Sequence, residues 1–274
     1  MSGMVRIGLL QTKWDGSAEA TITKHERMID EAAAKGCRII CLHELFSLPF
    51  FTPKQEASWY DLTETVPGPL IERMLRKAHE KEAVLIVPLY EKEVTGVYYN
   101  TAVVIDADGS VLGKYRKSHI PDDDTGWEKF YFKPGNLGYP VFNTRYAKVG
   151  ICICYDRYFP EGWRTLGLNG AEIVFNPSQT IVECAGFWEV MQPAHALSNG
   201  YFVATVNRVG VENEWQFAGR SYVCNPRAEI CVRGSEDRED LVVADIDLGM
   251  IKKARHLRAY YRDRRQETYG RLVE

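Results

Sequence analysis

Three side chains that could carry out nucleophilic catalysis lie at the ends of predicted strands in this 274-residue chain. Cys154 ends the run Val-Gly-Ile-Cys-Ile, and Pro160 opens the helix predicted after it. A thiol held at such a strand-to-helix turn is suitably placed for a nucleophile. Only the thiolate attacks, so the thiol needs a base or a positively charged neighbour. Glu44 and Lys117, which end two other predicted strands, are the candidates for these two roles.

Each of these residues also has an interpretation that involves no chemistry. An acid after a strand is more often a helix cap or part of a solvated turn, and a basic cluster such as residues 114–119 is usually a solvated edge. A cysteine in an apolar run is more often part of the core. None of the six histidines stands out as a partner for Cys154, and no papain-like or caspase-like signature surrounds it. What favours a common site is position, because sites in open α/β sheets gather where strands end.

Strands alternate with helices along the chain, with hairpins mixed in. Strands are predicted at residues 5–11, 37–42, 83–89, 97–105, 110–117, 149–153, 171–176 and 201–207, with three more between 216 and 247. Helices are predicted at residues 17–35, 69–81, 160–169, 186–199 and 249–257. This order predicts one α/β domain over residues 1–274, with mixed sheets, helices outside and residues 258–274 as a charged tail.

Two long segments without regular structure, residues 45–67 and 118–136, interrupt this order. The first is rich in aromatic residues. Loops of this length are usually functional, so we expect the first to roof a site.

Composition excludes several classes of partner. The net charge of −3 gives no basic surface for nucleic acid. No apolar run approaches the ~20 residues of a membrane span, and the N-terminus does not read as a signal peptide. The seven cysteines lack the paired spacing of a zinc or redox site, so we predict no metal and no cofactor. Without a secretion signal, we expect a reduced, cytoplasmic protein.

In their sequence context, the three residues resemble the Glu-Lys-Cys triad of the nitrilase superfamily of carbon–nitrogen hydrolases. Glu44 lies in Leu-His-Glu-Leu-Phe, Lys117 in Tyr-Arg-Lys-Ser-His-Ile-Pro, and Cys154 in Ile-Cys-Tyr-Asp-Arg-Tyr-Phe-Pro-Glu. The resemblance extends over residues 5–265 and includes the segments 99–102, 130–135 and 170–178. It implies a four-layer α-β-β-α sandwich and a homodimer or larger homo-oligomer that pairs through a helical surface.

The resemblance also implies a role for each residue. Glu44 would take the thiol proton, and Cys154 would attack an amide-type carbonyl. Lys117 and the backbone N–H of Tyr155 would stabilise the oxyanion. Glu128, in Trp-Glu-Lys-Phe-Tyr, matches the second glutamate of the family and would position Lys117 or the substrate nitrogen.

The expected substrate is a small ureido or amide molecule, with N-carbamoyl-β-alanine as the first choice. The segments that contain Asn176 and Arg208 resemble those of N-carbamoyl amidohydrolases that act on N-carbamoyl-β-alanine, and both residues are candidates for substrate binding. Arg157 could bind a substrate carboxylate through both arms of its guanidinium. Equally, Arg157 could brace Asp156 or Glu161 within the protein.

Two features favour other substrates. The acidic residues 122–124 would suit an amine-ended compound such as N-carbamoylputrescine, although a charge run in a loop is usually only solvated. Tyr158 stands where relatives that act on N-carbamoyl-α-amino acids carry an arginine. An ω-amidase or aliphatic amidase is a further alternative. Outside hydrolysis, the alternatives are a non-catalytic scaffold, which the intact residues argue against, and an acyltransferase.

Overall fold

Two six-stranded mixed sheets form the centre of the fold. The computed structural model describes residues 3–123 and 126–274. The first sheet contains β1 (Met4–Gln11), β2 (Ile39–Leu42), β3 (Val84–Val94), β4 (Val97–Ile105), β5 (Val111–Arg116) and β14 (Asp240–Asp247). The second contains β6 (Val141–Asn143), β7 (Lys148–Ile151), β8 (Ile173–Ser178), β9 (Phe202–Asn207), β12 (Tyr222–Cys224) and β13 (Ile230–Arg233). A separate hairpin pairs β10 (Val209–Glu212) with β11 (Trp215–Ala218).

The middle of each sheet is parallel and its edges are antiparallel. β1, β2 and β3 run parallel in the first sheet, as β7, β8 and β9 do in the second. Parallel neighbours require crossover connections, which helices provide. The helices are α1 (Ala18–Ala34), α2 (Pro69–Lys81), α3 (Glu128–Tyr131), α4 (Pro160–Leu168), α5 (Ala185–Asn199) and α6 (Gly249–Leu257). In chain order, α1 and α2 connect the first parallel set, and α4 and α5 the second.

The core between the two sheets is built from alternate residues of the strands. Ile39 and Cys41 of β2 belong to one buried cluster with Ile173 and Phe175 of β8. Successive side chains of a strand point to opposite faces. These two strands therefore present one face each to the layer between the sheets.

The other face of each sheet is covered by helices. Ile40 and Leu42 of β2 pack with Ile71 and Met74 of α2, while Val174 of β8 packs with Trp163 of α4. Strands buried on both faces read as continuous apolar runs, as β2 and β8 do. The order of layers is therefore α-β-β-α, which confirms the predicted four-layer sandwich with mixed sheets.

Most long elements lie where the sequence predicted them, but β3 extends to Val94 instead of ending at residue 89. α2, β4 and α6 have the predicted bounds. β6 and β10 were not predicted, and the segment 216–247 holds parts of four strands rather than three. β6 has three residues and β10 has four, too few to display a clear alternation.

The two long loops pack against each other. Their contact includes an edge-to-face pair of Phe51 and Tyr131, with ring centroids 4.9 Å apart. The backbone N–H of Trp127 donates to Thr52 O at 2.8 Å, and that of Glu56 donates to the Tyr131 hydroxyl at 2.9 Å. The first loop contains a single 3₁₀ segment, Ala57–Leu62, and the second contains α3. Residues 124 and 125 lie outside the described chain.

The start of the tail folds back onto its own chain. The hydroxyl of Tyr261 donates to Asn199 O at 2.6 Å, and the guanidinium of Arg255 lies 4.9 Å from the centre of its ring. Within the described residues, no helix is both long and apolar enough to cross a membrane. The same residues contain no cluster of three or more His, Cys, Asp or Glu side chains that could hold a metal ion.

Candidate active site

Cys154 lies at a sharp turn that follows β7, which ends at Ile151. The backbone leaves the strand and enters a single 3₁₀ turn, Cys154–Tyr158, before Pro160 begins α4. Cys154 itself has a φ of 44°, in the left-handed region that residues with a side chain rarely adopt. Such conformations cost on the order of 1–3 kcal/mol and persist only where the surrounding structure holds them.

Lys117 follows β5 and connects two carboxylates. Its Nζ lies 2.9 Å from Oε1 of Glu44 and 2.7 Å from Oε2 of Glu128. The lysine side chain is fully buried, as is nearly all of Glu44. Its backbone continues the strand pairing, because Lys117 N donates to Asn100 O at 2.8 Å. Lys117 is therefore held in place at both its ammonium group and its backbone.

Glu44 is held at both its carboxylate and its backbone. Oε1 accepts a second hydrogen bond from Nδ2 of Asn100, at 2.7 Å. The carbonyl oxygen of Glu44 accepts from Nε2 of Gln179 at 2.8 Å. Asn100 comes from the segment Tyr-Asn-Thr-Ala, which carried part of the family resemblance, but its contact with Glu44 was not predicted.

Burial dominates the electrostatics of the site. Burial raises the pKa of the Cys154 thiol to about 11; Glu44 adds to the rise, while Arg157 and Lys117 oppose it. Burial would lower the pKa of Lys117, but the carboxylates of Glu128 and Glu44 outweigh it and the pKa rises. Burial also raises the pKa of Glu128, to about 7, against the opposing effect of Lys117. At neutral pH the thiol is therefore protonated and Lys117 is charged, so thiolate formation needs a base.

A cavity of about 450 Å³ opens onto the thiol. Of the residues predicted to take part in the reaction, Cys154, Tyr155 and Glu128 contribute to its wall. Glu44 and Lys117 are not among the described lining residues. The other described residues of the wall are Phe50, Thr52, Pro121, Asp123, Gly126, Arg157, Tyr158, Gln179, Thr180, Ile181, Cys184 and Phe187. Residues of both long loops are among them, which agrees with the expectation that the first loop roofs a site. Of the acidic run, Asp123 lies at the cavity, and Asp124 is outside the described residues.

Arg157 faces the cavity and the thiol. Its Nη2 lies 3.7 Å from Sγ of Cys154, and its Nη1 donates to Oγ1 of Thr180 at 2.7 Å. Its backbone oxygen lies 2.9 Å from Nε2 of His195. Only 4% of the residue is exposed. The sequence left open whether Arg157 faces the substrate or braces Asp156 or Glu161, and these contacts favour the cavity.

Asn176 and Arg208, the two other candidates for substrate binding, are completely buried outside the described cavity wall. Nδ2 of Asn176 donates to Cys152 O at 2.7 Å, and its Oδ1 accepts from Nε2 of Gln192 at 2.6 Å. Nη2 of Arg208 donates to Leu48 O at 2.6 Å. Both side chains thus support neighbouring segments, and their placement does not support the expectation that they touch substrate.

Comparisons with known proteins point to the same family as the sequence motifs. A sequence model of the carbon–nitrogen hydrolase family matches residues 6–256. The chain is 36% identical to an N-carbamoylputrescine amidase from Solanum lycopersicum, over 98% of this chain and 95% of that protein. It is 32% identical to a β-ureidopropionase from Arabidopsis thaliana, over 98% of this chain and 73% of that protein. A crystal structure of a carbon–nitrogen hydrolase from Helicobacter pylori G27 superposes with a TM-score of 0.95, at 33% identity and 99% coverage of both chains.

Proposed function

The chain belongs to the carbon–nitrogen hydrolase family, and we propose that it hydrolyses the carbamoyl group of a small ureido acid through a covalent intermediate on Cys154. The preferred substrate in this proposal is N-carbamoyl-β-alanine, which gives β-alanine, CO₂ and ammonia. The observation that carries it is the guanidinium of Arg157, 3.7 Å from the thiol at the cavity wall.

In the first half of the reaction, Glu44 takes the proton of the thiol as Sγ of Cys154 attacks the carbamoyl carbon. The thiol is protonated at neutral pH, so this transfer must accompany the attack. The negative charge that develops on the carbonyl oxygen is stabilised by the ammonium of Lys117 and the backbone N–H of Tyr155. The loss of one such donor typically costs ~3 kcal/mol of transition-state stabilisation.

In the second half, the tetrahedral intermediate collapses with cleavage of the terminal C–N bond. Glu44 returns its proton to the departing amine, which leaves as ammonia, and the carbamoyl carbon stays bound to sulfur. Glu44 then takes a proton from a water molecule, whose oxygen attacks that carbon. As the C–S bond breaks, Glu44 returns this proton to the departing sulfur, which restores the thiol of Cys154 and the carboxylate of Glu44. The carbamic acid released in this step loses CO₂ and yields the free amine. Glu128, 2.7 Å from Nζ of Lys117, keeps the lysine oriented in both halves.

The position of Arg157 supports an acid with a short chain. In N-carbamoyl-β-alanine, two methylene groups separate the carbamoyl nitrogen from the carboxylate. A cation beside the nucleophile suits an anionic group close to the reacting carbon, and arginine binds carboxylates in a defined geometry. Arg157 is also the only lysine or arginine among the described residues of the cavity wall.

N-carbamoylputrescine is the second candidate substrate. Two carboxylates, Asp123 and Glu128, contribute to the same cavity wall and would attract its ammonium group. The relatives named N-carbamoylputrescine amidase are similar over nearly the whole chain. Against this candidate, the cation of Arg157 lies in the same cavity.

A substrate panel tests the proposal. We expect kcat/KM to be highest for N-carbamoyl-β-alanine, ahead of N-carbamoylputrescine, glutaramate, a simple nitrile and the uncharged control N-propylurea. Because Arg157 also lies beside the thiol, Arg157→Gln is expected to lower kcat/KM for every substrate. The decrease should be larger for N-carbamoyl-β-alanine than for N-propylurea, so the ratio of the two kcat/KM values should fall. A higher kcat/KM for N-carbamoylputrescine than for the acid would overturn the substrate assignment. Ammonia release by Cys154→Ala would overturn the covalent mechanism.

A further inference from the structure

We propose that Asp156 is a positioning residue that sets the distance between the nucleophile and the oxyanion-binding lysine. Its carboxylate is buried, with 1% of the residue exposed, and it lies two residues after Cys154. It accepts four hydrogen bonds, from groups on both of the segments that carry Cys154 and Lys117.

On the lysine side, the carboxylate binds the residues that flank Lys117. Oδ2 accepts from the hydroxyl of Tyr115 at 2.6 Å. Oδ1 accepts from the backbone N–H of His119 at 3.0 Å and from its Nδ1 at 2.7 Å. Tyr115 and His119 stand two residues before and two residues after Lys117, so one carboxylate fixes the chain on both sides of the lysine.

On the thiol side, the same carboxylate closes the turn. Oδ2 also accepts from the backbone N–H of Ile153, at 2.9 Å, directly before Cys154. The backbone N–H of Asp156 donates to Ile153 O at 3.0 Å. Cys154 therefore lies inside a closed ring of two hydrogen bonds. This ring holds the left-handed conformation that turns Cys154 out of the direction of β7.

The backbone of Asp156 is itself held by neighbouring residues of the fold. The carbonyl oxygen of Asp156 accepts from Nε1 of Trp163 at 3.0 Å and from the backbone N–H of Phe159 at 3.2 Å. The imidazole of His119 stacks on the ring of Phe159, with centroids 3.6 Å apart and planes 3° from parallel. The residue that accepts the four hydrogen bonds is therefore fixed in place. It holds the segments of Cys154 and Lys117 in one position relative to each other.

A carboxylate in this position has no direct chemical role. Its two oxygens already accept four hydrogen bonds, which leaves them committed to the residues around them. Its effect on the reaction is through geometry, because a misplacement of about 1 Å at a catalytic group can cost about 100-fold in rate. The inference rests on the proposed roles of Cys154 and Lys117 but not on the choice of substrate.

The test compares the full-length protein with Asp156→Asn. An amide nitrogen cannot accept, so the substitution removes the acceptor for at least one of the backbone donors Ile153 and His119. We expect kcat for N-carbamoyl-β-alanine to fall about 100-fold with little change in KM. We also expect slower alkylation of Cys154 by iodoacetamide, measured with Cys184 and Cys231 replaced by serine. The alkylation rate needs no substrate, so it stays informative if the substrate assignment fails.

Met74→Ala is the control for stability alone. Met74 is a buried residue of α2 on the outer face of the first sheet, and its truncation should lower Tm without changing kcat or alkylation. If Asp156→Asn behaves like Met74→Ala, with a lower Tm but with an unchanged kcat and alkylation rate, the proposal that Asp156 is a positioning residue is wrong. Ammonia release by Cys154→Ala would instead overturn the proposed function.

A milder pair of variants covers the case in which Asp156→Asn does not fold. Tyr115→Phe removes one of the four donors and should lower kcat at unchanged KM. Tyr146→Phe removes a hydroxyl that donates to Glu82 O at 2.7 Å in a remote turn, and it should leave kcat unchanged. Equal kcat values for the two variants would contradict the proposal.

Discussion

Lys117 and Glu44 form an ion pair in which Nζ lies 2.9 Å from Oε1 and almost no part of either side chain reaches solvent. A buried pair of this kind contributes little net stability, because the cost of removing two charges from water offsets their attraction. Its benefit in this protein lies in the reaction. The pair holds a fixed positive charge and a carboxylate base beside the thiol before any substrate enters.

Removal of the lysine charge should slow turnover strongly and weaken the fold. In Lys117→Met, Glu44 and Glu128 keep their burial but lose their common cation. We expect kcat to fall by about 10²–10³ from loss of oxyanion stabilisation alone. The free energy of unfolding should fall by about 3–5 kcal/mol, the usual result when one partner of a buried pair is removed. Kinetics and urea unfolding measure the two effects, and a kcat within tenfold of wild type would exclude Lys117 from the chemistry.

The pH dependence of kcat/KM should contain a contribution from Glu128. Burial raises its pKa to about 7, so its negative charge, which orients Lys117, is complete only above that value. We therefore expect kcat/KM to rise as pH increases through about 7. Glu128→Gln should be less active and should lack this step. A step of the same size in the variant would assign the titration to another group.

The same carboxyl group should make the free energy of unfolding decrease with rising pH, whereas kcat/KM increases. Between the ordinary glutamate pKa of about 4.3 and the folded value of about 7, the folded state binds a proton that the unfolded chain has released. The contribution of Glu128 to the free energy of unfolding therefore falls as pH rises through this window. Urea unfolding from pH 4 to 8 measures this effect. The free energy of unfolding of the wild type, relative to that of Glu128→Gln, should decrease as pH rises. A constant difference would contradict the raised pKa.

Alkylation of Cys154 should respond to pH as a buried thiol does. Its pKa is raised to about 11, mainly by burial, so the rate with iodoacetamide should still be rising at pH 9. Arg157→Gln removes a cation that lowers this pKa and should slow the reaction at every pH below it. Cys184 lines the same cavity and Cys231 is exposed, so both are replaced by serine in all samples. A plateau below pH 8 would mean that the thiolate forms in the resting enzyme.

Thr180 should determine how well Arg157 serves an acidic substrate. Thr180→Val keeps the shape of the side chain but removes the oxygen that accepts from Nη1 at 2.7 Å. We expect a loss of about 1–3 kcal/mol of stability, because a buried donor loses its partner. The kcat/KM for N-carbamoyl-β-alanine should fall more than that for N-propylurea. Thr144→Val, which removes a hydroxyl 2.7 Å from Ala147 O in a remote turn, should leave the ratio unchanged.

The site residues that lie at the ends of strands could be predicted from the sequence. Glu44 and Cys154 follow apolar runs that are long enough to identify as strands, and Lys117 ends a strand identified by the hairpin turn at residues 106–109. The fold brings the three segments together. Glu128 was predicted only from the family resemblance, since a glutamate in a long loop has no pattern that distinguishes it from a solvated acid.

Contacts between distant segments could not be predicted. The orientation of Arg157 depends on Thr180, which lies 23 residues later in the chain. Asn176 and Arg208 have the polarity of ligand-binding residues, but their partners are carbonyl oxygens and side chains elsewhere in the fold, which no local pattern specifies. From the sequence, Asp156 was considered only as a possible partner of Arg157, and its function as a common acceptor depends on Tyr115 and His119.

The burial of β2 and β8 on both faces has a consequence for how such a chain can change in length during evolution. A one-residue insertion in β2 would exchange the side chains that face the second sheet for those that face α2, and would also turn Glu44 away from Lys117. The loops over residues 45–67 and 118–136 carry no such alternation and can accept insertions of any size that their mutual contacts allow. Variation in length among related enzymes is thus expected in the cavity roof, where it changes which substrate fits, while the spacing of the reacting groups is preserved.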